Sequence, residues 1–277
     1  MTGGEAGALY VVSTPIGNLG DITHRALEVL RSVSVVLAED TRHSRRLLDH
    51  YQIRTPLAAY HEHNEAKATP RLVTRLLAGE SMAMITDAGT PLLSDPGARL
   101  VAAAAEKGIA VVPIPGASAL LAALVASAIE ADRFTFFGFL DRKGKGRGAT
   151  IDELRTLSRT AVLYESPNRT GATLSELVAA GMGSRRAAVA RELTKQFEEV
   201  RRGTLNDLAR YYGDVAPKGE VVIVIAGAVE ASSSEEQLRE RVQALRASGA
   251  SARDIASSLV DELGAPRNLA YRLAHES

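Results

Sequence analysis

The stretch ITDAGTPLLSDPG, residues 85–97, decides the fold. The apolar run MAMITD (82–87) feeds it, and GARLVAAAAEKG (97–108), a helix-forming run, follows it. A strand that passes through a glycine- and proline-rich turn into a helix is the unit from which parallel sheets are built, and ligands of open parallel sheets sit beyond the carboxyl ends of the strands. Gly89 allows a ligand to approach the backbone, and Pro91 and Pro96 stiffen the turn. Asp87, Thr90, Ser94 and Asp95 offer acceptors and hydroxyls. The bland alternative is an inert strand–helix turn. A phosphatase reading, D-x-D-x-T, fails because Gly89 stands where magnesium binding and acid catalysis need a second carboxylate.

Outward from this turn, strand and helix signals alternate. LYVVST (9–14), VSVVLAE (33–39), PLAAY (56–60) and AVVPI (110–114) read as strands. THRALEVLRS (23–32, capped by Asp21 or Thr23), SRRLLDHY (44–51), a segment within 64–78, and 116–128 read as helices. The alternation predicts an α/β domain over residues 1–129, mainly parallel, with helices on both faces. After Ala128 the pattern changes. RFTFFGFL (133–140), TAVLYES (160–166), AAVARE (187–192), EEVRRG (198–203) and EVVIVIAG (220–227) are strands, some without a helix between them, which predicts a second α/β domain over 130–230 with a mixed sheet. DRKGKGRG (141–148) reads as a glycine-rich basic loop, and ASSSEEQ (231–237) as a polar linker. Residues 235–277 form three short helices with a helix-turn-helix-like spacing around Gly264, Ala265 and Pro266, or a plain packing or dimerisation appendage.

Composition sets limits on function. The chain has 277 residues, 45% hydrophobic and 24% charged, a globular balance. With no Cys, disulfides, thiolate nucleophiles and Cys-type zinc sites are excluded. No basic leader and no run of about 18 apolar residues occurs, so the expectation is a cytoplasmic protein that does not meet membranes. No Trp and 4% aromatic residues argue against an interface built on stacking platforms. The net charge is zero, so any contact with RNA must be local or made to a preformed particle.

Several further segments carry polar groups at expected strand ends. In VPIPGASALL (112–121), Ser118 lies in the first turn of a helix whose free amides can hold an anionic group. The first loop, STPIGNLGD (13–21), lacks G-x-G-x-x-G, so a nicotinamide or flavin site gains no support. Arg142, Lys143, Lys145 and Arg147 make 141–148 either a phosphate-contacting lid or a surface loop. Glu39 and Asp40 end a strand, and YHEHNE (60–65) brings two His into one loop. The i, i+2 spacing of His61 and His63 is not that of a zincin, so no metal is expected and a polar cleft lining is preferred. YESPNRT (164–170) and ARELTKQFEEVRRGT (190–204) place charges that suit either structural ion pairs or an RNA backbone.

Together, STPIGNLGDIT, AEDTR, HEHNE, DAGTPLLSDPG, PGASA, GFL, YESPNR, ARELTK and KGEVVIVI resemble the ribosomal RNA small-subunit methyltransferase I family of the tetrapyrrole methylase superfamily. They run in order from residue 13 to about 225. Two departures stand out: Asp141 follows GFL where the family usually has Pro, and Asn168 stands where YESP is usually followed by His. The resemblance implies two α/β domains of the tetrapyrrole methylase type with S-adenosylmethionine in the cleft between them, plus the helical appendage. It implies a homodimer that methylates the ribose 2′-hydroxyl of a decoding-centre cytidine of 16S rRNA, cytidine 1402 in rRNA numbering, in the 30S subunit. Cofactor contacts are implied for Pro15, Asp87, Gly89, Thr90, Asp95, Ser118 and Ala119, with Phe137, Leu140 and Glu192 closing the site from the second domain. RNA contacts fall to Arg42, Arg142, Lys143, Lys145, Arg147, Arg169 and Arg191. A general base for the hydroxyl comes from His61, Glu39 or Lys195, with Asp40 and Glu165 as further candidates. His61 has the most suitable ordinary pKa, and Lys195 needs burial to lower its own. A tetrapyrrole C-methyltransferase and a non-catalytic ribosome assembly factor are the alternatives.

Overall fold

A computed structural model describes residues 6–228, 235–263 and 265–276. Gly264 and residues 231–234 of the expected linker lie outside them. The first half alternates strictly: β1 (Leu9–Val12), α1 (His24–Ser32), β2 (Val35–Ala38), α2 (Thr41–His50), β3 (Leu57–Ala59), α3 (Glu65–Leu77), β4 (Met82–Ile85), α4 (Ala98–Glu106), β5 (Val111–Ile114) and α5 (Ala119–Ala126). The five strands form a parallel sheet in the order β3-β2-β4-β1-β5. Every residue of β2 and β4 is buried, which is why both read as unbroken apolar runs. Side chains of β4 alternate between two cores. Met82 and Met84 meet Leu72 and Leu76 of α3 and Leu100 of α4, whereas Ala83 and Ile85 meet Leu30 of α1 and Leu48 of α2. Thr23, not Asp21, caps α1 by accepting from the Ala26 amide at 3.1 Å, and Asp40 caps α2 through the amides of Arg42 and His43.

The second half contains β6 (Phe134–Phe139), α6 (Lys145–Thr156), β7 (Thr160–Glu165), α7 (Pro167–Leu177), β8 (Arg186–Arg191), β9 (Glu199–Thr204), α8 (Leu205–Asp214) and β10 (Val221–Ile225). The sheet order is β6-β7-β10-β8-β9; only β6 and β7 run parallel, so the sheet is mixed. The helix α5 leaves the first sheet and packs on this second one. Leu120, Ala123 and Leu124, with Ile16, bury against Val162, Ala188, Ala190, Val222 and Val224. Both sheets therefore belong to one compact unit, residues up to 155 and 160–226. Residues 156–159 with 227–277 make up the other unit. There α9 (Glu235–Ala247), α10 (Ala252–Asp261) and α11 (Arg267–His275) surround Leu238, Val242, Ile255, Leu259 and Leu273.

One expectation needs correction. Residues 145–148 are the first turn of α6 rather than part of a loop. Arg147 is the reason: its guanidinium, 8% exposed, donates to the Asp141 carbonyl, Thr173 Oγ1 and Glu176 and so ties this turn to α7. Among the described residues, no helix is long and apolar enough to cross a membrane.

The glycines of α6 and α7 provide a test of packing. A Cβ at Gly171 meets the Tyr212 carbonyl oxygen of α8, whereas a Cβ at Gly148 meets nothing within 4 Å. Gly171→Ala is expected to cost about 1–3 kcal/mol in urea unfolding. Gly148→Ala is expected to be neutral or to stabilise by up to about 1 kcal/mol, because alanine favours helix. Equal midpoints for the two variants contradict the α7–α8 contact.

Candidate functional site

Three loops of the first sheet are stitched together beyond the carboxyl ends of their strands. Thr14 and Gly89 exchange backbone hydrogen bonds at 2.9 and 3.1 Å, an isolated antiparallel bridge. Thr90 Oγ1 lies 3.1 Å from Ser13 Oγ and donates to the Ala117 carbonyl at 3.2 Å. The turn after β4 is bent: Gly89 has φ 81°, and Leu92 and Ser94, neither a glycine, have φ 74° and 70°. Left-handed non-glycine residues cost about 1–3 kcal/mol each and gather at ligand sites and switches.

These loops form one wall of a cavity of about 470 Å³. The wall carries Ile16, Glu39, Thr86, the Asp87 to Thr90 turn, Asp95, Ser118 and Ala119. The second sheet supplies the opposite wall, with Phe139, the Tyr164 and Glu165 end of β7, Ser166, Pro167 and the start of β10 around Glu220. Among the described residues, no Lys or Arg lines it. Acid groups crowd it. Thr86 Oγ1 donates to Glu39 at 3.4 Å, and Asp87 accepts from the Asp40 amide at 3.2 Å. Burial pushes the Glu39 carboxyl above its ordinary pKa, and the charges of Asp95 and Asp87 push it further. Burial also raises Asp95; the charge of Asp87 adds to the rise and the hydrogen bond from Thr86 opposes it. The result is a small, partly desolvated cavity of negative potential, suited to a ligand with a positive centre. At its edge, Ser118 caps α5 by accepting from the Leu121 amide and the Leu120 amide bonds Tyr164, which leaves the Ala119 amide of the first turn for an anionic group.

Of the residues expected to contact a cofactor, Asp87, Gly89, Thr90, Asp95, Ser118 and Ala119 line the cavity. Pro15, Phe137, Leu140 and Glu192 do not. Pro15 is buried beside Ile16. Phe137 is displaced by a β-bulge: the register of β6 against β7 slips between Phe136 and Gly138, and Phe139 takes the place on the wall. Leu140 faces a second hollow. Glu192, at φ 50°, turns toward Lys195 and the Glu220 amide.

The base candidates separate clearly. Glu39 is on the cavity wall. His61 is not on it, although its charge reaches Glu39; its Nδ1 is buried without a hydrogen-bond partner among the described residues, and its ring lies 6.0 Å from that of His63. Lys195 is corrected. Burial lowers its pKa, but the hydrogen bond to Glu192 at 2.8 Å and the charge of Glu220 outweigh this and leave it above the ordinary value. Lys195 is therefore an ammonium group near neutral pH, without a lone pair to accept a proton. Glu165 lines the cavity but is saturated by Ser166 N, Thr173 Oγ1 and Arg169. Asp40 is occupied in capping α2.

The cations divide in the same way. Arg142, Lys143 and Lys145 are exposed and form no ion pair among the described residues. Arg42 is exposed but bonded to Asp40. Arg147, Arg169 and Arg191 are engaged by Glu176, Glu165 and Glu199 respectively, so a free phosphate grip by these three is not what the structure presents. Tyr164, Ser166 and Glu220 were missed by sequence reasoning. YESP and KGE were recognised as motifs, but nothing in their spacing says that the ends of β7 and β10 face α5. Among the described residues, no group of three or more His, Asp or Glu is arranged to hold a metal ion.

The family model of the tetrapyrrole (corrin/porphyrin) methylases matches residues 8–209. A Synechocystis sp. protein named ribosomal RNA small subunit methyltransferase I is 47% identical over 98% of this chain and 98% of its own. A Pseudomonas aeruginosa protein of the same name is 45% identical over 98% and 97%. Among solved structures, uroporphyrin-III C-methyltransferase from Thermus thermophilus complexed with S-adenosyl homocysteine shares the fold. Its TM-score is 0.56 at 19% identity, over 79% of this chain and 97% of that protein.

The raised acids carry a pH signature. Because the folded pKa of Asp95 exceeds the unfolded one, the neutral carboxyl is the form the fold favours. Its stabilising contribution is whole below the ordinary carboxylate range and is lost as pH rises through the folded value. Asp95→Asn is therefore expected to raise the urea midpoint near pH 8, with a smaller gain near pH 5. A gain of equal size at both, or a loss near pH 8, contradicts the desolvated cluster.

Proposed function

The chain belongs to the ribosomal RNA small subunit methyltransferase I family of the tetrapyrrole methylases, and from that premise we propose that it transfers the methyl group of S-adenosylmethionine to the ribose 2′-hydroxyl of the decoding-centre cytidine in the 30S subunit. The observation that carries this reading is the acidic cavity without a Lys or Arg on its wall. S-adenosylmethionine has a sulfonium and an ammonium centre, which Asp87 and Asp95 match, and one carboxylate, which the Ala119 amide at the start of α5 matches. The volume lies within the range of about 300–1,000 Å³ typical of cofactor sites.

When bound, this cofactor supplies a methyl carbon already made electrophilic by its sulfonium. The protein's main contribution is alignment, which is worth roughly 7–11 kcal/mol when attacking oxygen, carbon and leaving sulfur are held in line. The rigid turn from Asp87 to Thr90 and the cap at Ser118 hold one side of that line. Glu39 is the base: its carboxylate takes the proton of the ribose hydroxyl as the new oxygen–carbon bond forms. Its raised pKa brings it toward that of a useful proton acceptor. Arg142, Lys143 and Lys145 lie on the segment just after β6 and contact phosphates. With zero net charge over the whole chain, this local cluster, together with the shape of a preformed subunit, accounts for docking. The active form is a homodimer acting in the cytoplasm, and α5 offers Leu121 and Val125, exposed one turn apart, as a face that a second copy would cover.

The experiment is transfer of radiolabelled methyl to unmethylated small subunits, naked 16S rRNA and a tetrapyrrole precursor. Label is expected in cytidine ribose, on the subunit above all. Label in the tetrapyrrole, or none in RNA, sinks the proposal. Glu39→Gln is expected to lower kcat by about 10²–10⁴ and to remove the acid limb of the pH–rate profile. That limb reports the protonation of the base, so activity is lost as pH falls through the raised pKa of Glu39.

A further inference from the structure

Behind the outer wall of the cavity lies a second, open hollow of about 930 Å³ that the reaction described above does not use. Phe139 and Ser166 line both spaces. The bulge in β6 is what puts Phe139 there. Strand side chains alternate, so residues 136 and 139 of a regular strand point to opposite faces. With one residue extra between them, both meet the same ring: Tyr164 lies 4.8 Å from Phe136 and 5.6 Å from Phe139, each edge-on. Phe136 is half-buried, whereas Phe139 is 54% exposed. Gly138 makes the kink possible: its φ is 63°, and a Cβ would press on Ser94 Oγ at 2.9 Å. In a chain with only 4% aromatic residues, a backbone irregularity thus holds a bare aromatic face at the boundary of two pockets.

The rest of the hollow has the chemistry of a nucleotide site. Arg142, exposed and without an ion pair among the described residues, stands at its edge. Asn168 is exposed at the start of α7, and its amide forms no hydrogen bond among the described residues. That amide offers two donors and one acceptor. Arg147 and Arg169 lie beneath, fixed by Glu176 and Glu165, so they shape the floor rather than compete for a ligand. Sequence-specific proteins take single-stranded RNA bases out of the stack, place them on an aromatic ring and bond their edges.

We propose that this hollow is the subsite for the base of the target nucleotide, which stacks on Phe139, bonds the Asn168 amide by its edge, and has its phosphate held by Arg142. The inference rests on the reading of the chain as an RNA methyltransferase. Because Phe139 and Ser166 are shared walls, a base seated here leaves its ribose at the opening toward Glu39. The substrate must then be unpaired at this nucleotide, since a base inside a duplex has no free face.

The test is equilibrium binding of unmethylated small subunits to full-length protein saturated with S-adenosyl homocysteine, across a salt series. Phe139→Leu keeps an apolar side chain but loses the ring, and is expected to weaken binding by about 5- to 150-fold without changing the salt slope. Phe139→Tyr restores the ring and is expected to bind within about twofold of wild type. Arg142→Ala is expected to lower the salt slope by about one, the signature of one lost phosphate contact. Asn168→Ala is expected to weaken binding by roughly tenfold at an unchanged slope. Phe139→Leu binding as tightly as wild type, or Phe139→Tyr binding as weakly as Phe139→Leu, overturns the stacking assignment. Wild-type protein that does not bind the subunit overturns both this subsite and the proposed function. Wild-type binding with the expected losses but no methyl transfer overturns the reaction and leaves the subsite standing.

Discussion

The seating of α5 on the second sheet is the contact on which the candidate site depends. This helix follows the last strand of the first sheet, yet Leu120, Ala123 and Leu124 bury against Val162, Val222 and Val224 of β7 and β10. Full burial of a leucine or valine side chain is worth about 1.5–3 kcal/mol. The helix is capped by Ser118, on the cavity wall, so the same few residues that join the two sheets also fix the distance across the cavity. Bonds between loops extend the constraint: Thr90 ties the β4 turn to the segment that leads into α5, and Thr14 ties it to the first loop.

What the cavity does with that rigidity is electrostatic. Burial raises the pKa of Glu39 and of Asp95, the charge of Asp87 adds to both and that of Asp95 adds to Glu39, and among the described residues no Lys or Arg lines the wall. Such an arrangement opposes folding, and clusters of this kind are a mark of functional sites. Several other acids are paired. Glu165 on the same cavity wall, and Glu176, Glu192 and Glu199 away from it, all have basic partners, and the contrast sets Glu39, Asp87 and Asp95 apart.

The cations follow the opposite rule. In sequence Arg147, Arg169 and Arg191 look like the grip of an RNA-binding surface, just as Arg142 does. In the folded chain their guanidinium groups are occupied by carboxylates and carbonyl oxygens that come from other elements. Only Arg142, Lys143 and Lys145 of the basic segment keep their charge for solvent or a partner. Lys195 shows the same effect in another form: partial burial lowers its pKa, but the two carboxylates beside it, Glu192 and Glu220, outweigh burial and raise it above the ordinary value.

The order of strands and helices, the parallel first sheet and the mixed second one were legible in the chain, because apolar periodicity and glycine–proline turns are local properties. The place of the Asp87 to Asp95 turn and of Ser118 beyond strand ends was legible too, since such a turn in a parallel sheet lies where a strand ends and a helix begins, and both line the cavity. Three things were not. The replacement of Phe137 by Phe139 follows from a bulge that is defined only by pairing with β7, although Gly138 between two phenylalanines was its one local trace. The wall made by Tyr164, Ser166 and Glu220 exists only because α5 crosses to the second sheet. And which charges are free is decided by partners distant in sequence, from Glu176 for Arg147 to Glu220 for Lys195, so residue type alone could name the charged groups but not their protonation or their availability.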